Sequence, residues 1–115
     1  MLAAIASAYA AETRGYTHED PRFEIAVSVS EDAEALRARI TPRAPWKLSV
    51  DFPIRFSVEG GPAARSPVPG RSDGATVDLP LSEVPSGRVA GRISVAVCQG
   101  DLCERADHDF ELSTP

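Results

Sequence analysis

The stretch RVAGRISVAVCQGDLCERADHDFEL, residues 88–112, decides the fold of this chain. In its first half, apolar residues alternate with small or polar ones, which predicts a long, half-buried β-strand. Four residues separate Cys98 from Cys103, and the turn-forming residues Gly100 and Asp101 stand between them. The pattern therefore predicts a β-hairpin with the two cysteines opposite each other.

Pairing the cysteines fixes the register of the whole hairpin. In that register Arg92 lies opposite Asp109, an opposite-charge pair. Phe110 lies opposite Gly91, so that an aromatic ring covers a glycine. Cross-strand matches of this kind stabilise a hairpin, and a slip of one residue would lose them. We therefore expect the hairpin to adopt this register.

The alternation also predicts which face each side chain occupies. Valine and isoleucine at the odd positions of the first strand face the core, so Cys98 points away from it. Phe110 and Leu112 face inward on the return strand, so Cys103 also points outward. Both sulfurs are expected on the face away from the core. By the same parity His108 faces inward opposite Ile93, where a hydrogen-bonded or half-buried histidine is expected.

The rest of the chain shows similar alternation in short segments separated by turn residues. Residues 12–22 are polar and contain Gly15 and Pro21, so they are interpreted as a leader, and the first strand is predicted to begin at Phe23. About seven such segments predict an all-β, immunoglobulin-like antiparallel β-sandwich. Its predicted core contains Phe23, Ile25, Val27, Leu36, Ile40, Trp46, Phe56, Val77, Leu79, Ile93, Val95 and Phe110.

Proline and glycine interrupt the pattern in two places. Trp46, Leu48 and Val50 alternate, and alternation resumes after Pro53, which predicts two short strands or one bent strand. Residues 59–75 contain four glycines and three prolines and are predicted to form the longest and most mobile loop.

Composition limits the classes of function. The 115 residues suit one domain, predicted over residues 23–115. Lys+Arg total 12 against 17 Asp+Glu, for a net charge of -5, and Lys47 is the only lysine. This charge balance argues against binding to nucleic acid or to anionic lipid. The two histidines form no ligand pattern with the two cysteines, so neither a structural zinc site nor another cofactor is expected.

The first eleven residues, MLAAIASAYAA, suggest export. They are small and apolar, and Ala8–Ala10 fits an A-x-A cleavage rule, although no positively charged residue precedes them. One interpretation is a signal-peptide remnant, so that residues 1–22 are a remnant or leader; the other is a short Ala-rich helix or tail on the mature domain. Export would place the protein in a periplasmic or extracellular, oxidising space. The ordinary apolar fraction of 43% is that of a globular chain, so no membrane insertion is expected.

A disulfide between cysteines so close in sequence closes a short loop and contributes only about 2 kcal/mol to stability in the chain-entropy model. A short, outward-facing bridge is easy to reach and to exchange. Asp101, Glu104 and Asp107 are expected to surround the pair and disfavour a thiolate, with Arg105 as a partial offset. These properties suit a pair that is attacked by a partner.

Two segments carry a resemblance to a known family. RISVAVCQGDLCERADHDFEL and LRARITPRAPWKLSVDFPIRFSVEG resemble parts of the N-terminal domain of the thiol:disulfide interchange protein DsbD and of the disulfide bond corrector domains. The resemblance spans roughly residues 23–112. It implies a redox-active pair, Cys98 and Cys103, that exchanges with a thioredoxin-like or other redox protein partner, with Cys98 forming the mixed disulfide.

The sequence departs from that family at three places. Ala96 and Val97 stand where an aromatic residue commonly precedes the first cysteine, and Glu104 stands where prolines commonly follow the second. The loop over residues 59–75 has no aromatic side chain to cover a disulfide. Two functions therefore stay open: a periplasmic thiol–disulfide exchange domain, and a non-catalytic immunoglobulin-like binding or accessory domain with a structural disulfide.

Overall fold

The computed structural model describes residues 15–61, 63–65 and 73–114, and its regular structure is nearly all β. This confirms the predicted fold class. A single 3-10 turn, Leu81–Glu83, accompanies nine strands within those residues. The strands are β1 (Gly15–Glu19), β2 (Phe23–Val29), β3 (Ala35–Pro42), β4 (Lys47–Leu48), β5 (Arg55–Val58), β6 (Ala63–Arg65), β7 (Ala75–Pro80), β8 (Gly87–Gln99) and β9 (Leu102–Thr114).

The strands form two antiparallel sheets. One sheet has the order β1-β2-β3-β7. In the other, β9 pairs with one edge of β8, β4 and β5 share the opposite edge, and β6 lies outside β5. With β4 and β5 taken as one interrupted strand, β2-β3-β7 and β9-β8-β4/β5-β6 follow the A-B-E and G-F-C-C′ orders of an immunoglobulin-like sandwich. β1 is an additional edge strand.

The inward residues of both sheets form one core. Every predicted core residue is buried except Trp46, which is half-buried and packs against the edge of the core. The largest side chains that are almost completely buried come from both sheets. They are Phe23, Phe56, Ile25, Leu36, Ile40, Ile54, Leu79, Ile93, Val27, Val89, Val95 and Val97.

The fold begins earlier than the sequence predicts. β1 lies inside the segment interpreted as a polar leader, and it pairs with β2 along its whole length. Its inward residues, Tyr16 and His18, are only half-buried because they lie at the edge of the sandwich. A strand with polar and aromatic inward residues lacks the apolar alternation by which the other strands are recognised. Residues 1–14, with the possible signal remnant, lie outside the described residues.

The β4–β5 region consists of two short strands, one of the two predicted alternatives. The chain leaves the edge of β8 after Leu48, although the Ser49 N–H still donates to the Ala96 carbonyl at 2.9 Å. Val50 was predicted to continue the strand, but it lies beyond it and is 44% exposed. Ile54 is buried again, and β5 follows.

The predicted loop over residues 59–75 is partly strand. β6 lies within it and pairs with β5. Residues 62 and 66–72 lie outside the described residues, so the expected mobility of this loop stays a prediction.

The hairpin of β8 and β9 adopts the predicted register. Cys98 pairs with Cys103, Gly91 with Phe110, and Val89 with Leu112. Arg92 pairs with Asp109, and its Nε donates to Oδ1 of Asp109 at 2.7 Å. The ladder continues past the cysteines, so the connection is a two-residue turn with Gly100 at a φ of 60°. Glycine adopts that left-handed conformation without steric cost.

Candidate functional site

The disulfide lies near the end of the β8–β9 hairpin. Cys98 and Cys103 are bonded, and their Cα atoms are 4.0 Å apart. Cys98 is half-buried and Cys103 is exposed, whereas Val97, which precedes Cys98 and faces the core, is fully buried. The predicted pairing and the predicted outward placement are therefore both confirmed. The bridge lies on the outer face of the second sheet, where it is accessible to solvent.

The two cysteines differ in their surroundings because of their places in the sheet. β8 has a neighbour on each side, and β4 lies next to Cys98. Among the strands of residues 15–61, 63–65 and 73–114, β9 pairs with β8 alone, so Cys103 lies at an edge of the sheet. This position explains why Cys103 is the more exposed residue. Exposure therefore singles out Cys103, whereas the family resemblance implies that Cys98 is the reactive residue.

Lys47 lies in the same cross-strand row as the disulfide. β4 pairs with β8 so that Lys47 is the register partner of Cys98 and Leu48 that of Val97. Directly paired residues of adjacent antiparallel strands share one face, with their Cβ atoms roughly 4.5–5.5 Å apart. Lys47 is exposed and Leu48 is buried, as this parity requires. The only lysine of the chain is therefore a near neighbour of Cys98.

An aromatic side chain contacts the next cross-strand row on the same face, the row formed by Ala96 and Arg105. The Arg105 guanidinium carbon lies 4.8 Å from the centroid of the Phe52 ring, a cation–π arrangement. Arg105 is the register partner of Ala96, which is only 7% exposed although it is on the outer face. Phe52 of the β4–β5 connection thus contacts the row next to the disulfide, whereas the family resemblance directs attention to residues 59–75.

The acidic surroundings predicted for the disulfide are partly neutralised. Arg22 donates from Nη1 to Oε1 of Glu104 at 3.3 Å and from Nε to Oδ1 of Asp20 at 2.9 Å. The hydrogen bonds and positive charge of Arg22 hold the pKa of Asp20 below its ordinary value. Glu104 follows Cys103 directly, so its side chain points to the opposite face of β9. The sequence does not reveal this ion pair because Arg22 lies far away along the chain.

A second polar cluster closes one side of the sandwich, where β1 lies over β9. We call Tyr16, His18 and His108 the histidine seam. The rings of His18 and His108 stack with centroids 3.8 Å apart, and the Tyr16 hydroxyl hydrogen-bonds with Nε2 of His108. His108 was predicted to be hydrogen-bonded or half-buried, and it is both. Sequence reasoning missed Tyr16 as its partner because β1 was not recognised as a strand.

Burial and neighbouring charges shift the pKa values of His108 and Tyr16 in opposite directions. Burial lowers the pKa of His108, and the neighbouring His18 lowers it further, against the attraction of Asp109 and Asp20. Burial raises the pKa of Tyr16, and the charge of Asp109 adds to that rise. A neutral His108 can accept a hydrogen bond at Nε2 from a protonated Tyr16, so both shifts favour the pair as it stands.

Neither a metal site nor a membrane span is found in the described part of the chain. Over residues 15–61, 63–65 and 73–114, no three or more His, Cys, Asp or Glu side chains converge on a point where they could bind a metal ion. None of the helical structure in those residues has the length and apolar character that crossing a membrane requires.

Comparison with protein-family models, with curated proteins and with solved structures finds no match to this chain. The resemblance to the DsbD N-terminal domain therefore stays a prediction from the residues. The observations that bear on function are the geometry of the disulfide and of its neighbours.

Proposed function

We propose that this chain is a thiol–disulfide exchange domain of an exported compartment. In this proposal Cys98 and Cys103 alternate between disulfide and dithiol, and they pass two electrons to or from a thioredoxin-like or other dithiol protein. No bound cofactor takes part, since the two sulfurs and the partner's two thiols supply all the reacting atoms.

The observation that carries the proposal is that the disulfide lies within a long hairpin already held by other interactions. β8 and β9 are thirteen residues each and pair along their whole length, on both sides of the cysteines. Val89, Ile93 and Val95 also anchor β8 in the core. A bond between two residues five positions apart in such a ladder constrains the unfolded chain only weakly. A bridge that joined the two sheets would stabilise this fold more.

Access supports the same proposal. The disulfide lies on the outer face of the sheet, with Cys103 at the open edge strand, and the adjacent Leu102 is 56% exposed. A protein partner could therefore reach the disulfide and Leu102 from the same side. We therefore propose Cys103 as the residue that the partner's thiolate attacks, in place of the Cys98 implied by the family resemblance.

The chemistry of the bond supports the proposed compartment. Disulfides persist in exported, oxidising spaces and are rare in the cytosol. The small apolar residues at the start of the chain, with Ala8–Ala10 as a cleavage pattern, agree with export. We accordingly propose a periplasmic or extracellular location.

Trapping of a mixed disulfide tests the proposal. Cys98→Ser leaves Cys103 as the only thiol, and Cys103→Ser leaves Cys98. Each variant is incubated with a thioredoxin that lacks its resolving cysteine and carries an activated mixed disulfide on its nucleophilic cysteine. We expect Cys98→Ser to form the covalent complex rapidly and Cys103→Ser to form it much more slowly, because Cys103 is the exposed residue.

The controls separate a specific reaction from general thiol reactivity. Both variants are also treated with a small activated disulfide, which reports the intrinsic reactivity of each thiol. If neither variant forms a complex with thioredoxin faster than its small-molecule reactivity predicts, the exchange function is wrong and the disulfide is structural. In that case the second function considered from the sequence, a binding or accessory domain, becomes the better description.

A further inference from the structure

The register of β4 against β8 places Lys47 in the same cross-strand row as Cys98. We propose that Lys47 is a positioning residue that stabilises the Cys98 thiolate, so that Cys98 is the sulfur that leaves when a partner attacks Cys103. This inference rests on the proposed exchange function. It assigns to Lys47 the polarity of the reaction, meaning which sulfur is attacked and which is released.

The face occupied by Lys47 is fixed by the core. Leu48 is 3% exposed and pairs with Val97, which is 0% exposed. A shift of β4 by one residue would bring the ammonium group into the core and Leu48 into solvent, at a large cost in free energy. Lys47, Cys98 and Cys103 therefore lie in one row across three adjacent strands, with Cys98 in the middle.

The other charges near this row act less directly on Cys98. Arg105 on β9 lies one row away and engages the Phe52 ring. Asp101 is in the turn beyond the row, and Asp51 is in the β4–β5 connection. Glu104 belongs to the opposite face of β9 and is paired with Arg22. Lys47 is thus the charged residue directly paired with Cys98, and its sign favours a thiolate there.

The exchange step can be written with this assignment. A thiolate of the partner attacks Sγ of Cys103, a bond forms between these two sulfurs, and the Cys103–Cys98 bond breaks with its electron pair on Cys98. The partner's second thiolate then attacks the partner's first sulfur and releases Cys103 as a thiolate. The partner's dithiol is oxidised by two electrons, and both cysteines of this chain are reduced and take protons from water. A leaving thiol of lower pKa departs faster, which is the effect assigned to Lys47.

Two measurements test the role of Lys47, and neither needs a protein partner. In the Cys103→Ser background, thiolate absorbance followed against pH gives the pKa of Cys98 for Lys47, Lys47→Gln and Lys47→Arg. In the oxidised protein, dithiothreitol serves as the attacking dithiol. The rate at which it reduces the Cys98–Cys103 disulfide is compared for the proteins with Lys47, Gln or Arg at position 47. We expect Lys47→Gln to raise the pKa of Cys98 and slow reduction about threefold, with Lys47→Arg close to the parent.

Arg92→Gln is the matched control. It removes one positive charge from the same face of β8, six residues from Cys98 and about 20 Å away along the strand. We expect it to change neither measurement, and we expect the Lys47→Gln effect to shrink at about 1 M salt because the charge is exposed.

Equal pKa values for Cys98 in Lys47→Gln and Arg92→Gln would overturn the inference, as would a Lys47→Arg variant that behaves like Lys47→Gln. Because dithiothreitol replaces the biological partner, these outcomes are independent of the trapping experiment. A Lys47 effect without a thioredoxin complex would refute the exchange function alone. A complex without a Lys47 effect would refute only the role of Lys47.

Discussion

The ring of Phe110 occupies the space that a side chain at Gly91 would need. A β-carbon built at position 91 would lie 2.5 Å from the ring and 2.3 Å from the Ser57 carbonyl oxygen. Phe110 also packs against Phe56, with ring centroids 5.6 Å apart. The glycine therefore lets an aromatic residue of β9 cross the face of β8 and join the core.

We predict that Gly91→Ala destabilises the fold by about 3 kcal/mol, because neither the Ser57 backbone nor the packed ring can move away without disturbing the core. Gly15→Ala is the control: its β-carbon would meet nothing closer than 3.7 Å, so little change is expected. Urea unfolding of both variants measures the effect. Similar midpoints for the two variants would contradict the close packing of Phe110 on Gly91.

The histidine seam should make stability depend on pH. The pKa of His108 is lower in the folded state than in the unfolded state, so between the two values the unfolded chain binds more protons. Stability is therefore complete above the unfolded value of about 6.5 and falls as the pH drops through the lowered folded value. We predict that the unfolding free energy declines below about pH 6.5, measured by urea unfolding at a series of pH values.

Two variants test whether the histidine seam causes this dependence of the unfolding free energy on pH. His108→Gln should remove most of the pH dependence near neutrality, because it removes the titrating group. His18→Gln should reduce the dependence without abolishing it, because it removes one of the two causes of the lowered pKa. An unchanged slope in His108→Gln would show that another group titrates in this range.

The disulfide should contribute little to stability. Because its loop is short, we expect reduction of the protein, or the paired replacement of Cys98 and Cys103 by Ser, to cost about 2 kcal/mol. The reduced protein should keep its all-β circular dichroism spectrum, since the β8–β9 ladder continues on both sides of the bridge. Global unfolding on reduction would show instead that the bond is a structural requirement.

The hairpin could be predicted from the sequence because its information is local. Alternation fixes the faces of β8, and the pairs Arg92–Asp109 and Gly91–Phe110 fix the register, so the position of Cys98 opposite Cys103 follows. The same alternation gives nearly all of the core. Trp46 is the exception, since a period of two indicates a face but not how close a residue lies to the edge of the sheet.

The rest of the site depends on contacts that are distant in sequence. Alternation with Leu48 places Lys47 on an outer face, but only the pairing of β4 with β8 makes it a neighbour of Cys98. The Arg22–Glu104 ion pair and the stacking of His18 on His108 likewise need β1 and β9 to be assembled at one side of the sandwich. No sequence-local signal carries these relationships.

The reduction potential of the Cys98–Cys103 pair tests the exchange function most directly. The folded protein is equilibrated with a series of dithiothreitol redox buffers, and the fraction of disulfide is counted by thiol alkylation and mass. Structural disulfides typically lie below about -300 mV. The reduction potential of an exchange site should be well above that value, and we predict this for the Cys98–Cys103 pair. A potential below about -300 mV would contradict the account and leave the bridge as a structural bond.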